Sequence, residues 1–335
     1  MRLKNILFLS LLFQSAVFSE KYGPYDLAFP SAVSAGTASL GVGQENSSSN
    51  LYTNPSLLSN QNKSILDGGL SVSTNQNKYN ALRPTSLGFY VPINATSGVG
   101  LTGKQSFYQN FPSGYDSMSN YTYSFFGSFK LNDNWNASIG IGPSVVYRGG
   151  YQSSYSISPQ ASLSYKKEKH LVGAFFQSTG KFRLEGYRSA DSLRERIPEF
   201  FAIGYSYDLG QTKIYTEIRK IFWEYSSFKL NGNNSKPPLD RGIGAEFKYS
   251  LGFNHSISDT NFQIRSGIEL GGFYNEKGQN KRSVGLAIGG SWKVYQSKEE
   301  DSFLIHFAIV NYSIFSKSGG RQPETQFYFS GSYLY

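Results

Sequence analysis

The chain has 335 residues, a formal net charge of +9, no cysteine, and an aromatic share of 16% that includes 25 Tyr and 26 Phe. The lack of cysteine excludes disulfides, thiolate metal sites and a lipid anchor on cysteine. The basic residues are scattered over predicted loops and strand ends with no nucleic-acid-binding motif beside them, so they fit anionic lipid headgroups or ordinary solubility rather than nucleic acid.

A mean hydropathy of −0.38 beside that aromatic content fits a membrane barrel with a wet interior better than a soluble globule. At the front, Arg2 and Lys4 precede an apolar stretch from Ile6 to Phe13 and the small-residue end Val17-Phe18-Ser19. This pattern predicts a secretory signal peptide over residues 1–19, too short to span a bilayer. No later run is long and apolar enough for a membrane helix.

Residues 20–63 are strand-poor and rich in small side chains, as in Ser31-Ala32-Val33-Ser34-Ala35-Gly36-Thr37-Ala38-Ser39-Leu40-Gly41. Phe29 and the interspersed Ala, Val and Leu suit a plug folded against the walls of a lumen; a disordered tail is the alternative. Further on, Asn54-Pro55 predicts a turn, because Pro55 fixes φ, holds Asn54 extended and lets its side chain bond nearby backbone.

The run Ala35 to Gly41, a polar spacer, and then Ser49-Asn50-Leu51-Tyr52-Thr53-Asn54-Pro55-Ser56-Leu57-Leu58 resembles the N-terminal hatch of FadL/TodX-type outer-membrane transporters. Tyr52, Asn54, Pro55 and Leu57 fall on the matching motif positions. Ser56 stands where the family has alanine, and the acidic spacer is reduced to Glu45. The resemblance implies a hatch over residues 20–63, a barrel over 64–335, and passive uptake of hydrophobic small molecules, with long-chain fatty acids the first expectation. It also implies a lateral exit at an inward kink of the third strand, for which Gly98, Gly100 and Gly103 are candidates. Related barrels that secrete or assemble proteins carry similar hatches, so a scaffold for secretion, assembly or surface adhesion is an alternative. A general diffusion porin for polar solutes is another.

From Ser64 onward, period-two alternation predicts an all-β chain: a transmembrane antiparallel β-barrel of fourteen strands, starting near residues 64, 84, 95, 119, 135, 151, 170, 199, 212, 241, 261, 281, 302 and 324. Such segments are long enough to cross a hydrocarbon layer of roughly 25 Å when tilted. Short connections such as 132–134, 166–169 and 209–211 alternate with long ones such as 109–119, 185–199 and 226–240. That is the asymmetry between periplasmic turns and external loops. Pro143 and Pro159 predict breaks in neighbouring ladders.

Parity places Tyr215, Glu217 and Arg219 inward on one strand, Gly244, Glu246 and Lys248 on the next, and Gln263, Arg265, Gly267 and Glu269 on a third. Three acids face three bases, which predicts a ladder of ion pairs. The sharper expectation is that Arg265 or Lys248, with Arg219 beside them, holds a ligand carboxylate. Phe176 and Phe273 are expected to line an apolar path for its chain. His170, His255 and His306 show no metal-binding spacing and there is no Gly-x-Ser-x-Gly elbow; only a Ser–His arrangement around His306 stays open. The expectation is therefore no enzyme, no cofactor and no metal. At the end of the chain, Phe329, Tyr333 and Tyr335 alternate with small residues and resemble the signal read by the barrel-assembly machinery. The expected partners are outer-membrane lipids, a hydrophobic ligand and, during biogenesis, that machinery.

Overall fold

The computed structural model describes residues 26–335 apart from 46–47, 76–80, 110–117, 149, 187–191, 223–226, 231–245, 275–279, 298–300 and 313–323. The signal peptide expected over residues 1–19 lies outside the described residues.

Alternation of bulky apolar with small polar side chains produces long strands. Seven are β2 (Ile65–Asn75), β3 (Ala81–Asn94), β4 (Ser97–Gln109), β5 (Met118–Lys130), β6 (Trp135–Arg148), β7 (Ser154–Lys167) and β8 (His170–Gln177). Seven more are β11 (Phe200–Asp208), β12 (Thr212–Ile221), β14 (Glu246–Ser256), β15 (Phe262–Tyr274), β16 (Asn280–Gln296), β17 (Ser302–Asn311) and β18 (Glu324–Leu334). Each pairs antiparallel with its neighbour, and β18 returns to pair with β2 from Glu324↔Asn75 to Leu334↔Ile65. The result is the closed barrel of 14 strands, in which every strand has a hydrogen-bonded neighbour on each side. Reciprocal backbone bonds between Ser64 and Tyr335, at 2.9 and 3.1 Å, extend the seam to the last residue.

The outward face of the wall is apolar. Leu87, Ile139 and Ile157 are each about two-thirds exposed, and Phe125, Leu251, Ile288 and Phe329 join the same belt. The inward face carries buried small polar groups instead, among them Ser128, Ser138, Ser158, Ser162 and Ser164. A wall dry outside and hydroxylated inside is built for hydrocarbon on one side only. Phe329 and Tyr335 of the terminal motif face outward.

The N-terminal segment lies inside this cylinder. It begins with β1 (Asp26–Leu27), continues through the helix α1 (Ala32–Gly36), and closes with α2 (Asn50–Thr53) and a 3-10 turn (Pro55–Asn60). Ser31 starts α1 with a reciprocal cap, its side chain accepting from the Ser34 backbone while Ser34 bonds back to Ser31. These helices are too short to be stable alone. Burial against the wall holds them: Phe29, Ala35, Val42, Leu51 and Leu58 are at most 3% exposed.

One end of the barrel has turns at 95–96, 131–134, 168–169, 209–211 and 257–261, and also carries the chain terminus. The other end carries the longer connections. There β9 (Lys181–Glu185), β10 (Ser192–Arg196) and β13 (Ser227–Leu230) form a separate three-stranded sheet. The long connections expected at 185–199 and 226–240 each contribute a strand to it, β10 and β13. Phe182, Leu184 and Leu193 alternate with polar residues and bury one face of the small sheet, which a search for strands of membrane-crossing length passes over.

Because the chain lacks cysteine, the closing register is open to a direct test. Leu70 and Phe329 are direct partners across β2 and β18, and both point outward. The double variant Leu70→Cys/Phe329→Cys is expected to form an intramolecular disulfide on mild oxidation, since opposed strand residues lie within bridging distance. Leu70→Cys/Phe327→Cys, two residues out of register, is expected not to. Electrophoretic mobility with and without reductant reads both.

Candidate functional site

The interior is organised around one carboxylate. Glu217 on β12 is 3% exposed and accepts three backbone N–H bonds from the N-terminal segment: Leu40 to Oε1 at 2.8 Å, and Gly41 and Val42 to Oε2 at 3.0 Å each. Three consecutive N–H groups converge because Gly41 adopts a left-handed φ of 85°, making a small anion-binding concavity of backbone. Arg219, two residues on and on the same face, places Nε 3.3 Å from Glu217 and donates from Nη2 to Glu269 Oε2 at 2.6 Å. The same Nη2 reaches the Ala38 carbonyl at 3.2 Å, and the Ser250 hydroxyl bonds that carbonyl at 2.6 Å. Ala38 has a φ of 54°, a left-handed state that costs a non-glycine residue about 1–2 kcal/mol; the two donors on its carbonyl offset that cost.

The wall gives way to let this backbone approach. At Gly267 on β15 a Cβ would sit 2.1 Å from the Thr37 carbonyl oxygen, and at Gly173 on β8 one would sit 2.0 Å from that of Val42. No larger residue fits either position without moving the segment.

The Tyr52-Asn54-Pro55-Leu57 motif works as a clasp. Asn54 donates from Nδ2 to the Val42 carbonyl at 2.6 Å, folding the second half of the segment onto the first. Ser56 bonds Asn54 Oδ1 at 2.6 Å, and its N–H and hydroxyl reach Ser162 and Ser164 on β7 at 3.0 and 2.9 Å. Serine in place of alanine thus adds an anchor to the wall. Tyr52 donates to Asp67 Oδ1 at 2.9 Å, while its carbonyl accepts from Lys104 Nζ at 2.5 Å. Lys104 also lies 4.6 Å from the centre of the Phe175 ring and 5.6 Å from that of Phe200, so its ammonium is held by a carbonyl and two π-faces. Pro55 starts the 3-10 turn and Leu57 is buried beside it.

The wall is not continuous beside the segment. β3 and β4 pair only from Asn94↔Ser97 to Ser86↔Lys104. Above that level β4 bulges at Ser106 against β5, and its end pairs with β1 of the N-terminal segment, Phe107↔Leu27 and Tyr108↔Asp26. On β3 the register against β2 slips at Thr85, next to Pro84, which has no N–H for a ladder. A slot thus separates the two strands towards the long-loop end. Among the described residues it is bridged by side chains: Arg83 stacks 4.7 Å over the Tyr108 ring, and Tyr121 reaches from β5 to the Pro84 carbonyl at 3.3 Å. The third strand therefore turns inward as the resemblance implied, but at Gln105–Phe107 rather than at its glycines. Gly98 and Gly100 make room for the rings of Tyr90 and Phe126. Pro143 faces Ile157 and interrupts the β5–β6 ladder, which skips from Thr122↔Ser144 to Phe125↔Ile141.

At the short-turn end a cavity of about 370 Å³ opens beneath the segment, lined by the polar Tyr215, Gln263, Arg265, His306 and Ser332 and by the apolar Ile65, Leu304 and Leu334.

The ladder of charges exists, unevenly filled. Arg219 lies within ion-pair distance of Glu217 and Glu269, and Lys248 lies 3.6 Å from Glu246 and 3.8 Å from Glu269. Arg265 stands apart, donating to Ser291 at 2.5 Å and Gln263 at 3.0 Å. Phe176 is a correction: on β8 the buried residues are Leu171, Gly173, Phe175 and Gln177, so Phe176 faces away from the lumen and its neighbour Phe175 faces in. The Phe273 side chain lies outside the described residues. His306 bonds Ser291 from Nδ1 at 2.5 Å and Ser332 from Nε2 at 2.8 Å, while Asp67 bonds Ser332 rather than the imidazole. Two serines on one imidazole, with the acid on the far side of one of them, do not make a nucleophile–base–orienter relay.

A crystal structure of a Pseudomonas aeruginosa FadL homologue superposes with a TM-score of 0.70 at 14% identity, covering 94% of this chain and 99% of the other. The CymD monoaromatic hydrocarbon channel gives 0.66 at 14% identity over 91% and 96%, and the Ralstonia pickettii toluene transporter TbuX gives 0.63 at 14% over 94% and 98%. The chain has the FadL-type barrel fold. No protein-family model and no curated protein sequence matches it.

Lys104, Asp67, Gly173 and the Pro84–Thr85 irregularity belong to the site and were not singled out from the sequence. Signals for two of them exist: a lysine at an inward position of a strand, and a proline within one. Glu217→Ala is expected to cost about 3–5 kcal/mol, the penalty for stripping one partner from a buried charge cluster. It should also expose residues 27–60 to hydrogen exchange while the barrel strands stay protected. A variant whose N-terminal segment exchanges as slowly as wild type would show that Glu217 does not hold it.

Proposed function

We propose that this chain is an outer-membrane channel for passive uptake of hydrophobic small molecules, long-chain fatty acids first among them, with residues 20–63 acting as its hatch. The observation that carries the reading is the slot between β3 and β4 lying against a lumen filled by the N-terminal segment. A cylinder with a segment folded in its bore and a break in its side suits a cargo that is soluble in the bilayer, whereas a porin for polar solutes needs an open axial path. The apolar outer belt, the short turns at the chain-terminus end and the likeness to hydrocarbon channels support the same reading. The short-turn end is then periplasmic, and the three-stranded sheet is external. The roles follow from the contacts. Phe175 and Phe200 offer an apolar wall, Lys104 a cation beside them, and movement of β1 off β4 widens the slot. No residue is assigned a catalytic part.

The slot is testable through its cause. Replacing Pro84 with Val and deleting Thr85 restores an N–H and removes the bulge, which allows β3 to continue its ladder with β4. Cells carrying that variant are expected to take up laurate and toluene no faster than cells lacking the protein, with folded barrel present in normal amount. Undiminished uptake would remove the slot from the path. Large, steady ionic currents through wild-type protein in planar bilayers would instead favour the porin.

A further inference from the structure

We propose that the outward face of the three-stranded sheet is a docking surface for the phosphate groups of a phosphorylated glycolipid in the outer leaflet. The inference rests on the outer-membrane placement proposed above, and it adds a lipid partner that passage of cargo does not require.

The sheet carries the barrel wall beyond its apolar belt. β9 follows β8 across residues 178–180, and β10 leads into β11 across 197–199. β9 runs beside the upper part of β7. The Lys181 and Arg183 N–H groups bond the Ser156 and Ser154 hydroxyls at 3.3 and 3.2 Å, and the Gln152 N–H bonds the Glu185 carbonyl at 2.8 Å. One face of the sheet is fixed inward. Phe182, Leu184 and Leu193 are buried in the same apolar cluster as Val146 and Phe200, and Glu195 accepts from Arg148 of β6 at 2.9 Å. The other face therefore looks away from the bore, as the apolar Val172 and Ile203 do on the wall below it.

That face is cationic. Alternation puts Lys181, Arg183 and Glu185 of β9 and Arg194 and Arg196 of β10 on it, and Lys181, Arg183 and Arg194 are exposed. Among the described residues of these two strands, four bases thus share the face with one acid. Register lines the bases up across the strands: Arg194 pairs with Arg183 on one side and with Lys229 of β13 on the other, and Arg196 pairs with Lys181. Like charges directly opposite each other, about 5 Å apart, destabilise a sheet. Glu185 and Glu199 lie 3.3 Å from Arg183 and Arg196, but exposed pairs of this kind contribute little. A multivalent anion removes the repulsion, and phosphate matches the arginine forks.

Position selects a lipid as the bearer of that phosphate. Tyr155 and Ile157 alternate along β7 with the two serines that hold β9, and at 79% and 67% exposure they face the acyl chains. The cations therefore stand on the flank of the barrel at the upper edge of the belt, where headgroups lie and where each Lys or Arg adds attraction to an anionic surface. A phosphate of the outer leaflet meets them without leaving the bilayer.

Full-length protein in detergent, titrated with bisphosphorylated lipid A and with its dephosphorylated form, tests this by native mass spectrometry. The phosphorylated lipid is expected to bind about tenfold more tightly or better. Arg183→Gln/Arg194→Gln should weaken it about twenty-five-fold, or about fivefold for each cation withdrawn from an anionic partner, and leave the dephosphorylated lipid unaffected. Arg183→Lys/Arg194→Lys should keep most of the affinity. Lys181→Gln, a milder change, should cost about fivefold and serves if the arginine pair proves unstable. Lys167→Gln/Lys169→Gln, which removes two exposed cations at the short-turn end, should change nothing. Equal affinity for the two lipids, an equal loss in the Lys167/Lys169 variant, or a loss as large with lysine as with glutamine would overturn the site. Tighter binding of long-chain polyphosphate than of lipid A, lost in the same arginine variant, would assign the face to a soluble polyanion and overturn the lipid. Because the chain lacks cysteine, Arg194→Cys reports the placement separately: a membrane-impermeant maleimide is expected to label it on intact cells. Labelling only after lysis sinks the placement and the site together, whereas labelling on intact cells with phosphate-independent binding sinks the site alone. Phosphate-dependent binding by a protein that takes up no toluene leaves the site standing and sinks the channel alone.

Discussion

A buried carboxylate with its hydrogen bonds supplied by another part of the chain is the constraint on which the interior depends. Glu217 receives three N–H groups from Leu40, Gly41 and Val42, and Arg219 ties it to Glu269 and to the Ala38 carbonyl. None of these groups has water to fall back on. The N-terminal segment and the wall from β12 to β15 are therefore folded as one polar unit. Close approach at Gly173 and Gly267 is what brings the backbone near enough for those bonds to form.

Much of the barrel was legible because its signal is strict. Lipid-facing and lumen-facing positions alternate without exception along strands such as β12, where Ile214, Thr216 and Ile218 face out and Tyr215, Glu217 and Arg219 face in. Charged residues at mid-strand, here Glu217 and Arg219, fix the phase, since an acid or base at that depth does not point into hydrocarbon. β8 lacks that marker. His170-Leu171-Val172-Gly173-Ala174-Phe175-Phe176-Gln177 offers an aromatic in either phase, and the choice is made by contact of Gly173 with Val42, a tertiary fact. The small external sheet was missed for a related reason: its strands of four and five residues carry too few alternations to stand out.

The break in the wall shows a different limit. Glycines in β4 drew attention as hinge candidates, yet two of them serve as seats for aromatic rings, a role visible only once β3 and β5 are in register. On its neighbour the register against β2 slips at Thr85, next to Pro84, which has no N–H to offer a ladder. Where the β3–β4 ladder ends is thus a property of neighbouring strands in register, and no single-strand pattern encodes it.

The hydroxyl-lined inner face carries a consequence of its own. Serines such as Ser128, Ser138 and Ser158 have short side chains that lose little rotational freedom on burial and hydrate readily. Their strands are held to each other by main-chain bonds, and contacts with the contents of the bore, such as those of Ser162 and Ser164 with Ser56, are added to that frame. Such a liner is indifferent to being wet or dry, so the tube keeps its diameter through any rearrangement of its contents.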